Sequence, residues 1–125
     1  MAADFAEVFD LLKPVLGKYP KRLFLKTDTA TEYTLVTRNP SPHPQHKGER
    51  LYFGSVRLGK AYVSFHLMPL YMCPTLSGAV TPALQKRMQG KTCFNFKNDP
   101  GPELLRDLKA LTAECFRDWQ DRKWL

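Results

Sequence analysis

Between Leu51 and Met68 apolar and polar residues alternate through two short runs separated by Gly59-Lys60, and an α-helix cannot accommodate a period of two. In the first run Tyr52, Gly54, Val56 and Leu58 share one parity, while Phe53, Ser55 and Arg57 share the other. In the second, Val63, Phe65 and Leu67 alternate with Tyr62, Ser64, His66 and Met68. The pattern predicts a hairpin of residues 51–58 and 61–68, with one face buried and one partly open. Gly59 would supply the positive φ that a two-residue primed turn requires at its first position.

The flanking segments supply helices and further strands. Phe5, Val8, Phe9, Leu12, Val15 and Leu16 recur at helical spacing, so residues 4–16 read as a helix that either kinks at Pro14 or stops near Leu12. Residues 22–26 and 32–37 read as strands joined through Asp28-Thr29-Ala30-Thr31. Residues 39–48, with Pro40, Pro42 and Pro44, read as an exposed loop. After Pro69 a loop leads to Thr81-Pro82, an N-cap and a first-turn proline, which predict a helix over 82–89 ending at Gly90. Residues 92–96 follow as a strand. Beyond Asp99-Pro100-Gly101-Pro102, the stripe Leu104, Leu108, Leu111 and Cys115, widened by Leu105 and Phe116, predicts a last helix to about Trp119. The order α-β-β-β-β-α-β-α implies an α+β fold. Its mostly antiparallel sheet has about five strands, with the N-terminal and C-terminal helices packed on one face.

Composition narrows the class. With 125 residues, 43% hydrophobic and 25% charged, the chain reads as one soluble domain over residues 1–125. Its apolar runs are far too short for a membrane span, so no membrane partner is expected. Met1-Ala2-Ala3-Asp4-Phe5 lacks the basic stretch of a signal peptide. Cys73, Cys93 and Cys115 match neither a metal knuckle nor a redox pair and read as reduced thiols in the cytoplasm. The net charge of +7 favours anionic partners in general, yet the basic residues are spread, with a mild cluster at Lys86, Arg87, Lys91 and Lys97. A solvated surface is the favoured reading of that charge.

Several groupings carry chemistry. His66 has Tyr62 and Ser64 on its own face and Tyr52 placed opposite, and with Arg57, Lys60 or Lys91 to meet an anion it would line a small-molecule pocket. The plainer reading is a histidine at a partly covered sheet edge. Cys93 stands between Lys91 and Asn95, and a thiol beside Lys91 and His66 would have a lowered pKa and nucleophilic character. No acid or oxyanion loop accompanies it, and a buried, inert cysteine is the alternative. His43-x-x-His46 with His66 offers imidazole ligands, but an exposed proline loop is favoured over a metal site. Trp119 and Trp124 with Arg117, Arg122 and Lys123 form a tail suited to stacking single-stranded nucleic acid or to docking the end of a helix.

The segments Leu51-Tyr52-Phe53, Val63-Ser64-Phe65-His66 and Gly90-Lys91-Thr92-Cys93-Phe94-Asn95-Phe96, followed by an amphipathic helix, resemble the YdhG-like domain family over residues 51–116. The resemblance implies a small α+β fold and, because some members are described as frataxin-like iron chaperones, an acidic ridge for iron. In this chain that ridge would comprise Asp4, Glu7 and Asp10, joined by Asp28 and Glu32. Lys13, Lys18, Lys21 and Arg22 lie close by and make it a poor cation trap.

Three functions follow in order. The first is a non-enzymatic module, monomer or homodimer, that binds a small ligand, an anionic molecule among the candidates, through Tyr52, Arg57, Tyr62, Ser64, His66, Lys91 and Cys93. The second is a basic protein binding nucleic acid or an acidic partner, and the third an iron chaperone by resemblance. No cofactor and no catalytic residue is assigned.

Overall fold

A computed structural model describes residues 5–17, 19, 23–40, 49–90 and 92–124. Asp4, Lys18, Lys21, Arg22, Pro42, His43, Pro44, His46 and Lys91 lie outside the described residues.

The apolar stripe of the first helix, α1 (Phe5–Gly17), buries Val8, Phe9, Leu12, Val15 and Leu16. The helix runs through Pro14 and does not stop at Leu12. A proline in a helix interior costs about 3 kcal/mol. Full burial of an aliphatic side chain contributes about 1.5–3 kcal/mol, and both Val15 and Leu16, beyond the proline, are fully buried. Pro14 itself is exposed, so water can reach the carbonyl it leaves unbonded.

Six strands form one antiparallel sheet in the order β1-β2-β3-β4-β6-β5. They are β1 (Leu23–Asp28), β2 (Glu32–Pro40), β3 (Arg50–Leu58), β4 (Val63–Leu67), β5 (Met88–Gln89) and β6 (Cys93–Phe96). Thr29 closes the β1–β2 turn: its hydroxyl accepts from the amides of Thr31 at 3.2 Å and Glu32 at 3.0 Å. After β4 the expected loop instead holds two short helical pieces, α2 (Pro69–Met72) and a 3-10 turn (Pro74–Ala79), and the expected helix α3 (Pro82–Gln85) follows. These pack against the long C-terminal helix α4 (Gly101–Asp121), which in turn packs on α1, while α1 lies across β3 and β4.

The hairpin register corrects two sequence expectations. Leu58 pairs with Val63, so the turn comprises residues 59–62 and is not the two-residue Gly59-Lys60 turn. Gly59 is small for another reason: a Cβ there would lie 2.8 Å from the Tyr62 carbonyl, which accepts the Gly59 amide at 3.0 Å. The second correction is a bulge. Leu35 pairs with Gly54 and Val36 with Tyr52, leaving Phe53 as an extra residue in β3. The bulge turns Phe53 and Gly54 both toward the helices and puts Tyr52 with Ser55 on the opposite face.

Phe53 then fills the space between sheet and helices. Its ring meets Trp119 edge-on at 5.4 Å, Phe116 at 6.3 Å and Tyr19 at 6.3 Å, and both Phe53 and Trp119 are fully buried. Around them Leu12, Leu16, Leu35, Phe65, Phe94, Leu108 and Cys115 belong to one continuous core.

The helix expected over 82–89 stops at Gln85. Thr81 caps it as expected, accepting the Leu84 amide at 3.3 Å, and also donates to Asp107 of α4 at 3.0 Å. Beyond Gln85 the backbone instead protects the edge of β6: Met88 pairs with Phe94, Gln89 with Cys93, and the Asn95 amide bonds the Arg87 carbonyl at 2.8 Å. Gly90 has the positive φ expected of it, +79°, but spends it on the β5–β6 turn.

Helix α4 ends in a Schellman motif. The Trp124 amide bonds the Trp119 carbonyl and the Lys123 amide the Gln120 carbonyl, each at 3.0 Å, with the two indoles in edge contact at 5.6 Å. The left-handed position is filled by Lys123, at φ 62°, where glycine is usual.

Two outcomes follow for stability. At Gly54 a Cβ would stand 2.7 Å from the His66 carbonyl, a backbone atom that cannot turn aside. Gly54→Ala is therefore expected to lower stability by about 1–3 kcal/mol in urea unfolding, and an unchanged midpoint would contradict the close approach. Lys123→Gly relieves a left-handed penalty of about 1–2 kcal/mol and returns part of it as unfolded-chain entropy, so a net gain of about 0.5–1 kcal/mol is expected in the same measurement.

Candidate functional site

The bulge and the registers together define the face of the sheet that no described helix covers. Side chains directly paired across strands share a face, so three rows can be traced. One row runs Thr27, Thr34, Ser55, His66, Cys93, Gln89 across all six strands. A second runs Glu32, Arg57, Ser64, Asn95. A third, shorter and more apolar, joins Phe24, Val36 and Tyr52. The Arg50 guanidinium lies 4.1 Å from the centroid of the Phe24 ring.

Polar side chains of this face bond mainly to one another. The Tyr52 hydroxyl and the fully buried Ser55 hydroxyl form a short hydrogen bond. Thr34 donates to Glu32 at 2.6 Å, and Glu32 faces Arg57 at 3.7 Å. The Cys93 thiol donates to Asn95 Oδ1 at 3.1 Å and stands 3.5 Å from His66 Nε2, while Asn95 Nδ2 donates to Gln89 Oε1 at 2.6 Å. Ser55, Thr34 and Ser64 are recessed, whereas His66, Cys93 and Asn95 are half-exposed.

Of the residues that sequence grouped into a pocket, Tyr52, Arg57, Ser64, His66 and Cys93 share this face. Tyr62 falls in the hairpin turn, because the register begins β4 at Val63. Lys91 lies outside the described residues. His66 is not at a sheet edge, since β4 lies between β3 and β6. Ser55, Glu32, Asn95 and Gln89 join the site without having been grouped there. Ser55 was legible once His66 found its cross-strand partner; Gln89 was hidden by its assignment to a helix.

Electrostatics overturns the activated-thiol expectation. Burial raises the Cys93 pKa, and burial, followed by the Arg57 charge, lowers that of His66. The pair at rest is thus a neutral thiol and a neutral imidazole rather than a thiolate and an imidazolium. Burial also raises the Tyr52 phenol, outweighing the Ser55 bond and the Arg57 charge. On the helix side of the sheet, burial and an Asp118 contact push Cys73 up to about 11, and burial holds Cys115 high as well; both thiols are inert.

Among the described residues, the two sheet carboxylates of the iron expectation, Asp28 and Glu32, lie on opposite faces of the sheet. Asp28 pairs across strands with Tyr33 and reaches Lys13 of α1 at 2.8 Å, with the Lys13 ammonium also 5.4 Å from the Tyr33 ring centroid. Glu32, one residue from Tyr33 in β2, points to the other face and to Arg57. Among the described residues no three His, Cys, Asp or Glu side chains gather as a metal cluster. In the tail, Trp119 is buried and Trp124 packs against it beneath Arg122, so both indoles are occupied within the fold.

A pH dependence follows from His66. Its folded-state pKa lies below the ordinary 6.5, so the unfolded chain takes up the proton first. Stability is therefore full above about pH 6.5 and falls as pH descends toward the folded-state value. His66→Gln is expected to reduce that loss in unfolding midpoints measured across the window; an identical pH profile in the variant would show that His66 is not the group responsible.

No helix among the described residues is long and apolar enough to cross a membrane. Comparison with family models, with curated proteins and with solved structures returns no match to this chain.

Proposed function

We propose that this chain is a non-enzymatic binding module that receives a small polar ligand on the helix-free face of its sheet. The observation that carries this reading is the unbroken polar row Thr34, Ser55, His66, Cys93, Gln89 flanked by Arg57, Ser64 and Asn95. A sheet face that served only as solvated surface needs no recessed hydroxyls such as Ser55 and Thr34, whose burial costs free energy unless each is bonded. The row presents donors and acceptors on a rigid scaffold, half-exposed at His66, Cys93 and Asn95, which is the composition of a site that orients a polar molecule. An acidic ligand group would find Arg57, whose side chain is 53% exposed and held by Glu32 only at 3.7 Å. The neutral state of both His66 and Cys93 supports binding over nucleophilic catalysis. The YdhG-like assignment of the fold, and a reducing, cytoplasmic setting for the three free thiols, belong to the same proposal.

A thermal-shift screen of polar and acidic metabolites tests it. A ligand at one hundred times its Kd stabilises the native state by about 2.7 kcal/mol, which raises the midpoint. The shift is expected to disappear in Arg57→Ala and His66→Gln, whose own midpoints at neutral pH stay near that of the parent. A screen in which nothing moves the midpoint, or a shift that both variants retain, would defeat the proposal. Binding to single-stranded nucleic acid at low salt, lost steeply as salt rises, would favour the reading based on the net charge of +7 instead.

A further inference from the structure

We propose that Arg50, stacked on Phe24 at one corner of the helix-free face, anchors a small aromatic acid whose ring rests on the row Phe24, Val36 and Tyr52. The site lies beside the polar row and uses none of its residues. It therefore goes beyond the function proposed above and stands or falls separately.

The anchor is a guanidinium held in place without an acid. Its centre lies 4.1 Å from the Phe24 ring centroid, and its Nε donates to the Arg38 carbonyl in a long bond of 3.4 Å. A guanidinium stacked on a ring and tied through Nε keeps both terminal nitrogens, whose planar fork matches a carboxylate or phosphate. The ion pairs among the described residues are Lys13–Asp28, Arg57–Glu32, Arg117–Glu114 and Arg122–Asp118, and Arg50 is in none of them. Glu49, its neighbour in sequence, is exposed and is likewise in none. Arg57 on the same face is offset by Glu32, so of these two arginines Arg50 is the one ready for an anion. The net charge of +7 draws such an anion to the molecule.

The ring follows from what surrounds the anchor. Phe24 is 42% exposed, and Val36 pairs with both Phe24 and Tyr52, so one apolar row crosses β1, β2 and β3. A flat ring packs edge-on or offset against aromatic side chains and gains more there than an aliphatic group of the same size. The row also sets the size of the ligand. Two strand spacings, about 10 Å, separate its ends. The next row is polar, with Thr27, Thr34, Ser55 and His66. A single strand of nucleic acid needs a basic groove for about 4–16 nucleotides, so this row suits one ring rather than a polymer.

Benzoate and phenyl phosphate are the probes, with acetate, inorganic phosphate and cyclohexanecarboxylate as controls. Binding is followed in proton–nitrogen correlation spectra that include the arginine Nε–H signals. Both aromatic acids are expected to move the Arg50 Nε–H and the amides of Phe24 and Tyr52 in a saturable way. Arg50→Ala should weaken binding by about tenfold or more, the loss of two charged hydrogen bonds. Arg50→Lys, which keeps the charge but not the fork, should weaken it as well. Phe24→Leu should weaken benzoate while leaving acetate unchanged, and Arg57→Ala and His66→Gln should bind as the parent does. The comparison of benzoate with cyclohexanecarboxylate tests the ring without any variant. No shift at Arg50, undiminished binding in Arg50→Ala, or cyclohexanecarboxylate bound as tightly as benzoate would each overturn the site. Inorganic phosphate bound as tightly as phenyl phosphate would reduce it to an adventitious ion only. An oligothymidine that binds through Phe24 and Arg50 with steep salt dependence, where the acids fail, would assign the corner to nucleic acid instead. Saturable shifts at Arg50 with none at His66 or Cys93 for any polar metabolite sustain this site and defeat the function proposed above. The converse pattern defeats this site alone.

Discussion

One extra residue in β3 organises the molecule. Without the bulge at Phe53, strict alternation would point Phe53 away from the helices and Tyr52 toward them. With it, Phe53 reaches Trp119 and Phe116 of α4, and Gly54 leaves room beneath for Leu16 of α1, whose Cδ2 lies 3.5 Å from the place a Cβ would occupy. The two helices thus meet the sheet at one large and one absent side chain placed next to each other. The same turn of the backbone releases Tyr52 to the opposite face and onto Ser55. Core and site are therefore two consequences of a single irregularity in the ladder, and neither can be altered there without the other.

The two faces solve opposite problems. On the helix side apolar burial dominates, and two buried threonines bond to the backbone: Thr112 donates to the Leu108 carbonyl at 2.7 Å, and Thr37 accepts the Leu51 amide at 2.9 Å. On the other side the groups bond mostly among themselves in pairs. A buried hydroxyl without a partner costs about 1–3 kcal/mol, so Ser55 is tolerable only because Tyr52 is aimed at it. A polar face assembled from such pairs is stiff. Rigidity of that kind lowers the ordering cost of holding a ligand, the property expected of a face that binds rather than one that merely faces water.

How much of this was legible follows from the range of each interaction. Periodicities of two and 3.6 are local, so α1, β2, the central hairpin and α4 could be read from the sequence with small errors at their ends. The α+β class and the presence of His66, Ser64, Arg57 and Cys93 on one face followed from those patterns. The bulge could not be read, because it depends on Trp119, sixty-odd residues downstream, offering a socket for Phe53. Residues 86–89 misled for a similar reason. Thr81, Pro82 and Leu84 are good helix signals, yet Met88 and Gln89 pair with Phe94 and Cys93 on the edge of β6 instead of continuing the helix. The direction of the Cys93 pKa also escaped. In the sequence Cys93 stands among Lys91, Thr92, Phe94 and Asn95, a mixed set that gives no direction, whereas burial in the packed sheet decides its ionisation.

Charge then bears on what the face can select. The chain carries a net +7, which would draw anions to the molecule as a whole. At the centre of the polar face, however, Arg57 and Glu32 offset each other, and His66 and Cys93 are neutral. Discrimination at this face must come from the geometry of hydrogen bonds rather than from field strength. An acid would bind there only by taking Arg57 from Glu32, and at 3.7 Å between partly exposed groups that exchange costs little, since such pairs contribute about 0–1 kcal/mol. On the proposed reading, the long-range field would bring ligands in without choosing among them, and the choice would rest with the short row from Ser55 to Gln89, where hydrogen bonds already fix the direction of the Ser55, Cys93, Asn95 and Gln89 side chains.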